Sequence, residues 1–136
     1  NLTKLIKEYD FIVDGSDNFE TKFLTNDLSL KVKKFLTTGA ISKFDGHIFT
    51  YNFKNKKNSC LRCFFQEKNL SDDILNCEYD GVLGTVANIV GTIQANEVLK
   101  QILHIGKSLN NQILILDLLD LNFRKAQIKK LKKCIC

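Results

Sequence analysis

A short apolar run, Phe11-Ile12-Val13, breaks off into Asp14-Gly15-Ser16-Asp17-Asn18, and a long segment with apolar residues at helical spacing follows. This order predicts a buried parallel strand, a tight turn and a helix start. In an open α/β sheet, ligands bind at the carboxyl ends of the strands. Asp14 and Asp17 stand at such an end. Carboxylates placed there suit an Mg²⁺-bound phosphate substrate, because Mg²⁺ prefers oxygen ligands and usually needs only one or two from the protein. The plainer alternative is that Asp14 closes the turn and Asp17 caps the helix.

Either Asn18 or Asp17 can cap the helix that follows. Phe19, Phe23, Leu24, Leu28, Val32 and Phe35 recur at its period, it runs to about Lys34, and its lysines fall mostly on the polar side. Phe35–Ile41 reads as a second strand ending at Gly39, where glycine permits a close backbone approach. Strand, helix and strand over roughly thirty residues is the βαβ period. Asp45-Gly46 signals a turn, and the run from His47 to Phe53 alternates two-fold with Phe49, Tyr51 and Phe53 on one face. His47 has nothing in sequence to orient it as a base or ligand. Residues 81–103 read as a buried helix with Ala87, Gly91 and Ala95 for close packing, stopped by Gly106. Ile113–Asp117 and Leu121–Ile128 read as a hairpin, and Leu2, Leu5 and Ile6 mark the end of a helix at the start of the chain. No repeat or linker divides the sequence, so a single domain over residues 1–136 is expected.

The 44% hydrophobic and 26% charged content is that of a soluble globular chain. The net charge is +5, with Lys supplying 18 of 20 basic residues, but no aromatic-interleaved basic motif accompanies it. A solvated Lys surface is therefore expected, and no nucleic-acid partner. No apolar run can span a bilayer, and the opening NLTKLIKEYD is no signal peptide. With no Met anywhere, the chain is expected to start inside a longer protein.

Five cysteines occur, at 60, 63, 77, 134 and 136. An odd number with a C-x-x-C pair argues against a disulfide framework and for metal binding or thiol chemistry in a reducing compartment, here the cytoplasm. Cys60 and Cys63 have the spacing to grip one tetrahedral Zn²⁺, though C-x-x-C also serves redox chemistry. Cys134 and Cys136 would complete four sulfurs, making a closed structural site that clips the two ends of the second half together. Cys77 lies outside both pairs, beside Glu78 and Asp80, which would raise its thiol pKa.

Taken together, these stretches resemble the ThiF/MoeB/HesA family, bacterial relatives of ubiquitin-activating enzymes. YDFIVDGSDNFETKFLTND resembles the family's strand, D-x-x-D-N segment and following helix. TTGAISKFDGHIFTY resembles the next strand and hairpin, CLRC the first zinc pair, and CEYDGVLGTVANIVGTIQANEVLKQIL the C-x-x-x-G-V-L-G-P segment with its helix. ILILDLLDLNFRKAQI resembles the closing hairpin before the second zinc pair. The match runs from about Tyr9 to Cys136, and it is the order and spacing of the pieces that make it specific.

The resemblance implies an α/β fold: the C-terminal half of a Rossmann-like ATP-binding domain, with a mixed sheet and an antiparallel hairpin clipped by zinc. It implies that ATP and Mg²⁺ adenylate the C-terminal glycine of a ubiquitin-like sulfur carrier of the ThiS or MoaD type. A thiocarboxylate then forms for thiamine or molybdenum-cofactor biosynthesis. Asp17 would be the Mg²⁺-ATP carboxylate, with Asp14, Asn18 and Lys22 in the cofactor site. Cys77 matches a cysteine that in some members takes part in sulfur transfer or a covalent carrier link. Cys60, Cys63 and Cys134 match zinc ligands; the fourth is Cys136 in an altered geometry, or a ligand beyond Cys136, and members are commonly homodimers. The departures are Lys22 for a usual Arg, Thr85 for a usual Pro, and a last pair spaced C-x-C for C-x-x-C. The family's Gly-rich ATP loop and its phosphate-holding Arg and Lys precede the matched region, so the N-terminal ATP-loop half is expected to be absent, and these residues alone are expected not to adenylate. The alternatives are a non-catalytic, zinc-clipped carrier-binding fragment and a dithiol redox protein.

Overall fold

The computed structural model describes residues 1–65 and 81–136. Its elements are α1 (Leu2–Glu8), β1 (Phe11–Asp14), α2 (Phe19–Lys31), β2 (Phe35–Ser42), β3 (Asp45–Asn52), α3 (Leu61–Phe64), α4 (Gly84–Leu103), β4 (Gln112–Asp117) and β5 (Asn122–Gln127). The strands form one mixed sheet in the order β1-β2-β3-β4-β5. β1 and β2 run parallel through the α2 crossover, and the other neighbours are antiparallel.

Two-residue alternation sorts the side chains onto two faces. On one, Leu36, Phe49, Tyr51 and Phe53 pack with Phe23 of α2, with Cys60, Leu61 and Cys63, and with Ile113 and Ile128. The Phe49, Tyr51 and Phe53 rings stack in sequence, with centroids 6.4 and 5.6 Å apart, as the alternation predicts. On the other face, Ile48 and Leu116 meet Val86 and Val90 of α4, with Leu109 from the following loop. Helix α4 lies so close that a Cβ on Gly39 would sit 2.7 Å from both Val90 Cγ1 and Gln94 Oε1, and one on Gly46 would sit 2.5 Å from Val90 Cγ2. Glycine at these positions is what lets the helix settle on β2 and β3.

Four expectations need correcting. β1 is the edge strand among the described residues, with Val13 55% exposed, so it is parallel but not buried. β2 runs on through Gly39 to Ser42, because residues 39–42 keep pairing with residues 45–48 of β3. α4 is covered along one stripe only, at Val86, Val90, Gln94 and Glu97; Ala87, Gly91 and Ala95 are exposed. α2 stops at Lys31, Lys33 turns left-handed (φ 57°), and Lys22 lies on its buried side. Helix α4 ends at Leu103, as the sequence leads one to expect, with His104 as a left-handed cap ahead of Gly106. Cys77 falls outside the described residues.

Candidate functional site

The turn after β1 is built by Asp14 itself. Ser16 donates to Asp14 Oδ1 through its amide (3.0 Å) and its hydroxyl (2.7 Å). Asn18 then caps α2, its Oδ1 accepting from the Thr21 amide at 2.8 Å, so the capping task falls to Asn18 and not to Asp17. Asp17 is left exposed, and among the described residues its carboxylate has only an Asn18 Nδ2 contact of 3.3 Å. The two acids thus have different surroundings: Asp14 is sealed into the structure and Asp17 faces solvent.

Asp14 Oδ2 accepts from Lys22 Nζ at 3.1 Å and from the Thr38 hydroxyl. Lys22 Nζ also reaches Thr38 Oγ1 at 3.5 Å and donates to the Gly39 carbonyl. An ammonium has three protons, so this one is fully engaged. Burial pushes the Asp14 carboxyl up, but hydrogen bonds from Thr38 and Ser16 and the charge of Lys22 outweigh it and hold it below the usual carboxylate value. Gln94, from the covered stripe of α4, donates to the Asp14 carbonyl at 2.9 Å and to the Thr37 carbonyl at 3.4 Å, tying the end of β1 and the middle of β2 to the helix. Sequence reading missed Gln94; the available signal was a polar residue at helical spacing after Val86 and Val90.

These residues border a cavity of about 450 Å³ at the carboxyl ends of β1 and β2. Gly15, Ser16 and Asp17 form one wall, Gly39, Ala40 and Ile41 another, and Ala87, Val90 and Gly91 the α4 side. The small residues Ala87 and Gly91 leave room there for a ligand. Asp17 is the exposed carboxylate of the lining, and Lys22 its only cation among the described residues.

The second constellation is the cysteine cluster. A one-turn α3 carries Cys63 next to Cys60, and the chain end returns Cys134 and Cys136 to them. The sulfurs lie 4.0 Å apart for Cys60–Cys63, and 3.4 Å for both Cys60–Cys134 and Cys63–Cys136. All four lie within 4.8 Å of one another. All four are free thiols. A tetrahedral ion with metal–sulfur bonds of about 2.3 Å has sulfurs about 3.8 Å apart, so this cluster could hold one. Burial, then hydrogen bonds from its neighbours, pushes the Cys60 thiol far up, and the same causes push Cys136 up to about 12. Burial acts the same way on Cys134, but hydrogen bonds from Cys136 and Cys60 outweigh it and bring that thiol down. The gathering of Cys134 and Cys136 onto Cys60 and Cys63 gives all four sulfurs a role, which a dithiol redox pair at Cys60 and Cys63 would not.

Polar side chains brace the cluster. Asn26, fully buried on α2, accepts from the Leu61 amide at 2.9 Å. Arg62 forks onto Asp27 (Nε–Oδ1 2.9 Å, Nη2–Oδ2 2.8 Å) with its guanidinium 4.5 Å above the Phe23 ring. Asn111, in the left-handed region (φ 61°), accepts from the amide and hydroxyl of Ser59 at 2.7 and 2.9 Å. His47 faces a separate apolar cavity of about 180 Å³ beside Phe49 and Phe65, and burial lowers its pKa.

The sequence and the fold are similar to those of known proteins. The chain is 34% identical over 137 residues to a sulfur carrier protein adenylyltransferase of Thermus thermophilus, covering 98% of this chain and 51% of that protein. It is 35% identical over 129 residues to adenylyltransferase and sulfurtransferase MOCS3 of Xenopus laevis, covering 95% of this chain and 28% of that one. The chain thus spans about half the length, or less, of these curated relatives. Among solved structures, Escherichia coli MccB crystallised with ATP superposes with a TM-score of 0.76 at 14% identity, over 98% of this chain and 41% of MccB, a likeness of fold. The ThiF family profile matches residues 1–136, and the chain is a member of the ThiF family.

Proposed function

We propose that this chain is the C-terminal part of an adenylyltransferase that activates the C-terminal glycine of a ubiquitin-like sulfur carrier. The observation that carries this reading is Asp17: an exposed carboxylate at the mouth of the 450 Å³ cavity, at the strand ends where α/β sheets bind ligands. The names of the Thermus and Xenopus relatives point to the same reaction class. In that reaction a carrier carboxylate oxygen bonds to the α-phosphorus of ATP, and pyrophosphate leaves with the electron pair of the broken P–O bond.

Mg²⁺, when bound, would neutralise the charge that develops on the phosphates. Asp17 would hold it: its carboxylate lines the cavity, is exposed, and among the described residues carries a single 3.3 Å contact, from Asn18 Nδ2. Asp14, Lys22 and Thr38 position Asp17 by fixing the turn that carries it, and Asn18 fixes the first turn of α2 beyond it. Lys22 acts in this way through Asp14, because its protons are spent inside the structure. The four cysteines hold Zn²⁺ as a closed structural site, with Cys136 as the fourth ligand despite its C-x-C spacing; their sulfur spacing supports this. Cys77 as a sulfur-transfer residue and the choice between thiamine and molybdenum-cofactor pathways rest on the family resemblance. So does a homodimer, for which Leu99, Ile102 and Leu103 offer exposed apolar surface on α4. Among the described residues no helix is long and apolar enough to cross a membrane.

One observation favours a second reading, a carrier-binding module without chemistry. The single cation lining the cavity, Lys22, is committed to Asp14, Thr38 and Gly39, so the described residues offer the triphosphate no free positive charge. Adenylation then needs cations from the rest of the parent protein. Pyrophosphate release on mixing ATP, carrier and protein separates the two: the parent enzyme releases it and these 136 residues alone do not.

A further inference from the structure

Ser59 stands immediately before Cys60 and is buried, so its amide and its hydroxyl both need a partner inside the protein. One atom serves both: Asn111 Oδ1, at 2.7 and 2.9 Å. A carboxamide oxygen has two lone pairs and can take two donors. The other end of that carboxamide fixes its orientation. Asn111 Nδ2 donates to Asn58 Oδ1 at 2.9 Å, and Asn58 Nδ2 donates to the Asn52 carbonyl at 2.8 Å. The backbone carbonyl of Asn111 accepts from the Ile128 amide at 2.8 Å. Ile128 is buried in the same cluster as Cys60 and Cys63, and the chain runs on from it to Cys134 and Cys136. One residue thus bonds to both arms of the cysteine cluster. Its own segment is anchored: the Leu109 amide donates to Glu97 Oε2 at 2.9 Å, and Asn110 Oδ1 accepts from the Asn52 amide at 2.9 Å. The left-handed backbone of Asn111 (φ 61°) is one that asparagine tolerates better than most residues.

We propose that Asn111 is a positioning residue for the metal: it holds the arm that carries Cys60 and Cys63 in register with the arm that carries Cys134 and Cys136 before zinc arrives. The inference rests on the zinc reading above and adds the side chain that prepares the site. Without the bridge, the ion itself must order the two arms, and that cost lowers its affinity. Partners that hold metal ligands in place typically contribute about 10–100-fold to metal binding.

The test is the zinc affinity of the full chain, read by competition with a chromophoric chelator. Asn111→Gly removes the carboxamide but keeps the left-handed backbone and the carbonyl that serves Ile128. Its affinity should fall about tenfold. The tetrahedral Co²⁺ form of this variant should keep the band positions of wild type, because the four sulfurs are unchanged. Asn111→Asp keeps an acceptor for both Ser59 donors and should bind zinc within about threefold of wild type. Gly39→Ala strains the contact between α4 and the sheet, away from the bridge, and should leave zinc affinity at the wild-type level. An Asn111→Gly affinity within about twofold of wild type would confine the residue to general stability and overturn the proposal. An equal fall in Gly39→Ala or in Asn111→Asp, or a shifted Co²⁺ band, would overturn it too. A wild-type chain that takes up neither zinc nor cobalt defeats the zinc reading itself, and the role of Asn111 with it.

Discussion

Lys22 Nζ lies 3.1 Å from Asp14 Oδ2, and both side chains are about 95% sealed from water. This pair joins the end of β1 to α2 and, through Thr38 and Gly39, to β2. Removing one member leaves the other as a buried, uncompensated charge, which costs about 3–5 kcal/mol. Lys22→Ala should therefore lower stability by that order, measured by urea unfolding. A loss under about 1 kcal/mol, the range of an exposed pair, would mean that the two charges are solvated and do not brace the turn.

The pH dependence of stability has a definite sign. The folded-state pKa of Asp14 lies below the unfolded one, so its contribution is complete above the ordinary carboxyl value of about 4 and is lost as pH falls through the lower, folded value. The urea midpoint of the wild type should fall through this acid window with a component that Asp14→Asn lacks. Equal acid slopes in the two proteins would remove Asp14 from the account.

Gly39 tests the contact between α4 and the sheet. An alanine Cβ there meets Val90 and Gln94 at 2.7 Å, so helix and sheet must part. Overpacking of this kind costs about 1–3 kcal/mol, and Gly39→Ala should show it in thermal unfolding. Gly91→Ala, with open space around the added methyl, should be neutral or slightly stabilising. Equal effects at the two positions would contradict the close approach.

The sequence made some of this legible and hid the rest for physical reasons. Alternation places Phe49, Tyr51 and Phe53 on one face whatever the fold around them, and the stack is there. The cysteines could be paired because thiols at such spacings have few other uses, and their sulfurs do meet. Periodicity, however, reports which residues share a face and not what covers that face. Hence the strand Phe11–Val13 and the face of α4 that carries Ala87 and Gly91 were expected to be buried and are substantially exposed. The lysines of α2 were expected mostly on its polar side, but Lys22 is buried, and its burial depends on Asp14, Thr38 and Gly39, eight to seventeen positions away. Gln94 carries an amide whose partners, the Asp14 and Thr37 carbonyls, only the folded chain could reveal.

Metal removal gives a separate check. A closed four-thiolate site predicts about one zinc per chain, and a lower unfolding midpoint after chelation. Cys136→Ser should weaken zinc binding, because a hydroxyl does not replace a thiolate. Undiminished affinity in that variant would place the fourth ligand elsewhere.

The most direct test of the adenylation account is ATP–pyrophosphate exchange by the full-length parent enzyme with its carrier, comparing wild type with Asp17→Ala. Asp17 is exposed and leaves helix capping to Asn18, so the variant should fold with stability within about 0.5 kcal/mol of wild type. The account predicts that exchange is lost in this stably folded variant. Exchange at the wild-type rate would show that the exposed carboxylate at the cavity mouth has no part in the chemistry.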